Sequence, residues 1–214
     1  MAELQNAQTA ADVGCGRAGP ARIWQEAYPN VRMVCIDINR QGLGDAGFLP
    51  CAANAISTSL PLASGSMDRV LALESAQHFR PLDGFTTEAA RVLSPEGILC
   101  LAVPVAGPRY AKHRLGMLWL TWSSEHHTMS TVRASVASAG LQLLSEERVG
   151  GLVYEPIAEY YLQNRVALKR RIRSEYPGYV ESLLHRSILD MRRASKRDVI
   201  DYVIVKCKKA NGSR

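Results

Sequence analysis

Hydrophobic residues along the chain fall into short runs, each followed by a loop and then by a stretch whose apolar positions recur at helical spacing. This alternation predicts a parallel sheet with helices on both faces. The runs TAADV (9–13), VRMVCID (31–37), MDRVLALE (67–74) and GILCLAVP (97–104) are predicted strands, with PARIWQEAY (20–28) and PLDGFTTEAARVL (81–93) as helices between them. The second helix should stop at SPEG, where Pro95 and Gly97 would make the turn into the next strand. Beyond Pro104 the pattern loosens into VAGPRYAKHRLGMLWLTWSSEHHT (105–128), which holds two of the three tryptophans and three of the five histidines. A helix is expected over 129–140, with Ser130 as N-cap and Gly140 as its stop, then a strand over 141–149. A helical excursion over 155–196 follows, and DVIDYVIVKCKK (198–209) reads as a closing strand.

The 214 residues suit a single domain, with 105–128 and 155–196 as insertions that would cover a substrate. A composition of 47% hydrophobic and 21% charged residues is that of an ordinary soluble protein, and no apolar run approaches the ~20 residues that span a bilayer. The amino terminus lacks a basic stretch followed by an apolar one, so the expected location is the cytoplasm. Five scattered cysteines without a C-x-x-C pair read as reduced thiols, three of them inside apolar runs. The net charge of +6 concentrates in LKRRIR (168–173) and RRASKR (192–197), inside amphipathic patterns, which favours solvated helix faces over a nucleic-acid surface.

The stretch ADVGCGRAGPARIW places Gly14, Gly16 and Gly19 at the spacing of a dinucleotide fingerprint. Glycines leaving a strand and opening a helix admit a ligand to the backbone, because no Cβ intervenes and positive φ is available. Asp37, 21 residues after Gly16, ends the second predicted strand and is placed to accept the hydroxyls of a ribose. These two signals fit a nicotinamide enzyme and a methyltransferase equally.

Five segments in order separate the two: DVGCGRA, CIDI, LPL…SMDRV, ESAQHF and RVLSPEG. Together they resemble the class I S-adenosylmethionine-dependent methyltransferases, in the branch that methylates small molecules, over about Asp12 to Ala102. DYVIVKCKK resembles that family's antiparallel last strand. The resemblance implies a Rossmann-like three-layer α/β sandwich with a mostly parallel sheet, and S-adenosylmethionine as cofactor. In this register Ala18 takes the place of the usual third glycine. Asp12 and Gly14, Cys15 and Gly16 would surround the methionine part, Asp37 the ribose and Ile38 the adenine, with Leu73 and Glu74 beside the sulfonium. An acidic-Ala pair that meets the adenine amino group corresponds either to Asn54-Ala55, by residue type, or to Ile56-Ser57, by strict register. The segment 38–59, where the family has a full helix and strand, is short and glycine-broken here. Only eleven residues precede Asp12, where relatives carry helices that cap the site.

Methyl transfer is an in-line displacement that needs positioning, and a hydroxyl acceptor also needs a base. His78, in the loop after the third of these strands, is the candidate, because histidine titrates near neutrality. Trp122, His126 and His127 are candidate acceptor contacts. Adjacent histidines point apart, so no metal is expected. The expected partner is a small-molecule acceptor carrying a hydroxyl or an amine, with a homodimer left open. The alternative is an RNA- or protein-directed protein of this fold, or a non-catalytic one.

Overall fold

The computed structural model describes residues 2–44 and 51–210. The chain divides into two compact units: Met1–Val103 with Met129–Glu147 and Ile204–Arg214, and Pro104–Thr128 with Arg148–Val203. Among the described residues seven strands, β1 (Thr9–Val13), β2 (Arg32–Asp37), β3 (Ala52–Asn54), β4 (Met67–Leu73), β5 (Leu93–Ala106), β6 (Leu141–Arg148) and β7 (Ile200–Lys209), form one sheet in the order β3-β2-β1-β4-β5-β7-β6, mostly parallel, with β5-β7-β6 antiparallel. This is the Rossmann-like fold expected. Among the described residues no helix is long and apolar enough to cross a membrane.

In the first unit, β1 (Thr9–Val13) pairs in parallel with β2 (Arg32–Asp37) on one side and β4 (Met67–Leu73) on the other. The chain therefore leaves β1 in one direction and returns to the opposite side, and open α/β sheets bind ligands at the carboxyl end of such a switch point. These strands are buried along nearly their whole length, which is why they read as unbroken apolar runs. The exception is Arg69 of β4, also buried, whose guanidinium donates to the carbonyls of Ala2, Glu3 and Asp68. Asp68 in turn accepts the backbone N–H groups of Gln8 and Thr9, so two charged neighbours fix the entry to β1.

Helix α1 (Gly19–Ala27) follows β1. After β2 come a short helix α2 (Arg40–Gly44) and a three-residue strand β3 (Ala52–Asn54), so the glycine-broken segment keeps a shortened helix and strand. Residues 45–50 of that segment lie outside the described residues. Helix α3 (Leu82–Val92) runs directly into β5 (Leu93–Ala106), so SPEG is not a turn between elements but part of the strand. Met67 pairs with Leu93 and Arg69 with Ile98, so a bulge on β5 absorbs the extra residues. A Cβ on Gly97 would lie 2.8 Å from the Leu93 side chain, and the missing side chain lets the bulge fold on itself. Helix α5 (Met129–Ser138) starts one residue before its expected cap, leaving Ser130 in the first turn. Gly140 does end it, with φ +69°, ahead of β6 (Leu141–Arg148).

The second unit contains the four-residue helix α4 (Leu118–Thr121) and two long helices, α6 (Gly150–Glu175) and α7 (Tyr179–Lys196). β7 (Ile200–Lys209) begins in this unit and ends in the first. Helix α6 begins earlier than the pattern suggested and carries Pro156 inside it. Its first N–H, on Gly150, donates to Asp201 Oδ1, a cap supplied from β7 that no local sequence signal announces. Between α6 and α7 the buried Glu181 accepts Tyr161 Oη and Arg165 Nε, which pairs a charge that would otherwise be costly to bury.

Phe85 of α3 is fully buried, with its ring centroid 4.6 Å from that of Phe79, which follows β4. Phe85→Ala is expected to destabilise the fold by about 3–5 kcal/mol, checked by urea unfolding. A loss below about 1 kcal/mol would contradict this packing.

Candidate active site

The turn from β1 to α1 is built from three residues with positive φ: Gly14 at +74°, Gly16 at +56° and Ala18 at +56°. Ala18, not Gly19, adopts the left-handed conformation, at a cost of about 1–2 kcal/mol relative to glycine. Gly14 N and Cys15 N both donate to the carbonyl of Ile36, at 2.8 and 3.2 Å. Gly16 N donates to Asp37 Oδ2 at 2.7 Å, and Asp37 Oδ1 accepts Asn39 N at 2.7 Å. From the β4 side, Ser75 Oγ donates to Val13 O at 2.8 Å. A Cβ on Gly14 would lie 2.4 Å from Ser75 Cβ and 3.2 Å from Phe79 Cζ, so this position excludes any side chain on two grounds, contact and φ.

These strand ends surround a cavity of about 410 Å3. Of the residues singled out in the sequence, Gly14, Asp37, Ile38, Ala55, Glu74 and His78 line it. Asp12, Cys15, Gly16, Asn54 and Leu73 do not. Asp12 is buried in β1, and burial, followed by the charge of Asp37, pushes its carboxyl up to about 7. Cys15 is buried within the turn. Asn54 Nδ2 donates to the carbonyls of Asp37 and Ile38, both at 2.9 Å, and so fastens the end of β2. Ile56 and Ser57, the strict-register pair, line the cavity, as do Thr58, Ser75, Phe79 and Arg80. Sequence reasoning left Ser75, Thr58 and Arg80 unassigned. Ser75 lies within the ESAQHF segment, and only the close approach of Gly14 reveals its part in shaping the turn.

Glu74 holds φ +55°, unusual for a residue with a side chain, directly after β4. Its N–H donates to Ala102 O, and Gln77 Nε2 donates to Glu74 O at 2.9 Å and reaches Glu74 Oε2 at 3.4 Å. His78 ends the 3-10 turn Ala76–His78 and is exposed at the cavity, with its N–H donating to Ser75 O. Such strained positions concentrate at functional sites, where surrounding bonds hold them in place.

The remaining three candidates belong to the second unit. His126 Nδ1 lies 2.8 Å from Tyr110 Oη, and its ring sits among those of Trp119 and Trp122, with centroids 4.9 and 5.3 Å away. Burial in this nest holds the imidazole below its ordinary value. Trp122 Nε1 donates to Tyr154 Oη, which donates to Asp201 O. His127 uses its carbonyl to accept Ala106 N at 2.7 Å, continuing the edge of β5.

Residues 11–101 match the family described as a methyltransferase domain. Over that segment the chain is similar to the class I S-adenosylmethionine-dependent methyltransferases. It is 32% identical over 126 residues to a malonyl-acyl-carrier-protein O-methyltransferase of Alcanivorax borkumensis, covering 55% of this chain and 40% of that protein. It is 27% identical over 172 residues to an erythromycin 3''-O-methyltransferase of Saccharopolyspora erythraea, covering 71% of this chain and 56% of that one. The chain thus spans about half the length of these curated relatives. In fold it is similar to a phosphoethanolamine N-methyltransferase of Haemonchus contortus solved with S-adenosylhomocysteine, at a TM-score of 0.81 and 14% identity over 95% of this chain and 49% of that one.

The cavity fits S-adenosylmethionine by its donor inventory. An ionised carboxylate offers about four lone-pair sites, and the backbone occupies two on Asp37, leaving capacity for the two hydroxyls of a ribose. The Gly14 position leaves backbone bare toward the cavity, and Ile38 and Ile56 supply apolar surface.

Two measurements test this site. Gly14→Ala is expected to weaken S-adenosylmethionine binding at least about tenfold by calorimetry, since the added methyl collides with Ser75. Folded Asp12 keeps its proton up to about 7, whereas the unfolded residue releases it near 3.8, so the folded state binds more protons in between. Stability therefore falls as pH rises through that window, by up to about 1.4 kcal/mol per unit, and Asp12→Asn should flatten the limb in urea titrations at about pH 5 and about pH 8.

Proposed function

We propose that this chain transfers a methyl group from S-adenosylmethionine to the hydroxyl or amine of a small molecule. The observation that carries the reading is that Gly14, Asp37, Glu74 and His78, from three separate parts of the chain, line one cavity in a methyltransferase domain. Asp12 and the Gly14–Gly16 turn serve the methionine part, Asp37 the ribose and Ile38 the adenine. Ser57, which lines the cavity, takes over from Asn54 as the polar group offered to the adenine amino group. Leu73 and Glu74 stand beside the sulfonium, where a carboxylate offsets positive charge.

Held by these residues, S-adenosylmethionine would supply an electrophilic methyl group to the acceptor oxygen and keep the carbon–sulfur electron pair as S-adenosylhomocysteine. The acceptor's proton passes to His78, whose imidazole lines the cavity. An amine acceptor loses its proton by the same route. Trp122, His126 and His127 are assigned to the acceptor, with 105–128 and 155–196 as the segments that cover it. The similarity to an erythromycin 3''-O-methyltransferase supports a natural-product acceptor, and a cytoplasmic setting and a role in secondary metabolism belong to the same proposal.

Calorimetry with S-adenosylmethionine is the first test, and absence of binding at high micromolar cofactor by folded protein would remove the enzymatic reading in favour of a non-catalytic one. His78→Ala should lower turnover by about 10²–10⁴-fold while cofactor affinity changes by less than about twofold. Unchanged turnover would exclude the base role.

A further inference from the structure

The formal charge is divided unevenly. The first unit carries twelve Lys and Arg against twelve Asp and Glu, and the second carries fourteen against eight, so the entire +6 belongs to the second. Part of this excess converges on a concavity of about 490 Å3 within that unit, lined by His113, Arg114, Gly116, Asp190, Arg193 and Arg197. His113 and Arg114 come from the turn Lys112–Arg114, while Asp190 and Arg193 lie on α7 and Arg197 caps its end.

Asp190, the one carboxylate lining this concavity, is already engaged. Its Oδ2 accepts Met117 N at 3.1 Å and its Oδ1 accepts Arg193 at 2.7 Å. Gly116 makes this contact achievable: its φ is +56°, and a Cβ there would lie 2.7 Å from Asp190 Oδ2. Asp190 thus holds Arg193 in a fixed attitude. Arg114 and Arg197 have no carboxylate partner among the described residues. Cations at a helix C-terminus are favoured by its dipole, which accounts for Arg193 and Arg197 singly. It does not account for Arg114, which arrives from another segment and faces the same space.

We propose that this concavity is a binding site for the phosphate or diphosphate group of a small ligand, separate from the cofactor cavity. Guanidinium groups present planar forks that match phosphate oxygens, and three around one space exceed what one bound carboxylate neutralises. The volume is that of a small-molecule pocket, whereas a nucleic-acid backbone requires an extended basic track.

Titration calorimetry with pyrophosphate, at low and at physiological salt, tests the assignment. The expected result is saturable one-to-one binding that weakens at least about tenfold in the double variant Arg114→Gln, Arg197→Gln, with steep salt dependence in the parent. Both side chains are exposed, so the variant should keep its thermal midpoint, and its affinity for S-adenosylmethionine should equal that of the parent. No saturable binding, or equal affinity in parent and variant, would overturn the proposal. Tighter binding of a short single-stranded RNA than of pyrophosphate, lost in the same variant, would also overturn it, replacing the small-ligand pocket with a nucleic-acid surface.

Discussion

One carbonyl, that of Ile36, accepts both Gly14 N and Cys15 N, and this shared bond decides where the β1–α1 turn lies. With the turn drawn onto β2, Gly16 N reaches the Asp37 carboxylate, so the residue that ends β2 is oriented by the residue that follows β1. The opposite wall depends on the same turn. Ser75 and Phe79 occupy the space that a Cβ on Gly14 would fill, and Ser75 closes the contact with a bond to Val13 O. Three strand ends are thereby set around one cavity, and a displacement at Gly14 would be felt by all of them.

The electrostatics of the site follow from this compactness. Asp12 lies in β1 beside the turn, buried, and close enough to Asp37 for that charge to raise its carboxyl further. A carboxylate buried beside another negative charge gives up its proton less readily. Glu74, held in a left-handed conformation by backbone and Gln77 bonds, joins Asp37 as a second carboxylate lining the cavity.

What the sequence showed was decided by how local each cause is. The strands β1, β2 and β4 were readable almost to the residue because burial on both faces makes them continuous apolar runs. The family motifs fixed the turn register, and the positive φ at Ala18 is the physical content of its replacing a glycine. The misses have distant causes. Strand β3 is three residues long, and β2 pairing rather than its own composition makes it a strand. The SPEG bulge depends on how β5 lies against β4, and the start of α6 on a cap from Asp201. Asn54 shows the same limit at the site: its residue type suggested a ligand contact, but its amide nitrogen bonds the backbone after β2. Ser75 was invisible because its importance lies in what Gly14 lacks.

The family match, residues 11–101, falls wholly inside the first unit. The segment that the family model matches is therefore the one whose strand ends surround the cavity, in a unit whose charges cancel. The second unit lies outside that match and differs in kind. It holds the whole net charge, an aromatic nest whose burial holds His126 below its ordinary value, and large apolar side chains left exposed, such as Leu120 at 77% and Leu152 at 78%. Methyl transfer from a common donor requires little of the protein beyond alignment and a proton acceptor, so relatives that share the donor can diverge freely in the acceptor. On the proposed reading, selectivity would come from groups outside the shared motifs, such as Trp122, His126 and His127 of the second unit.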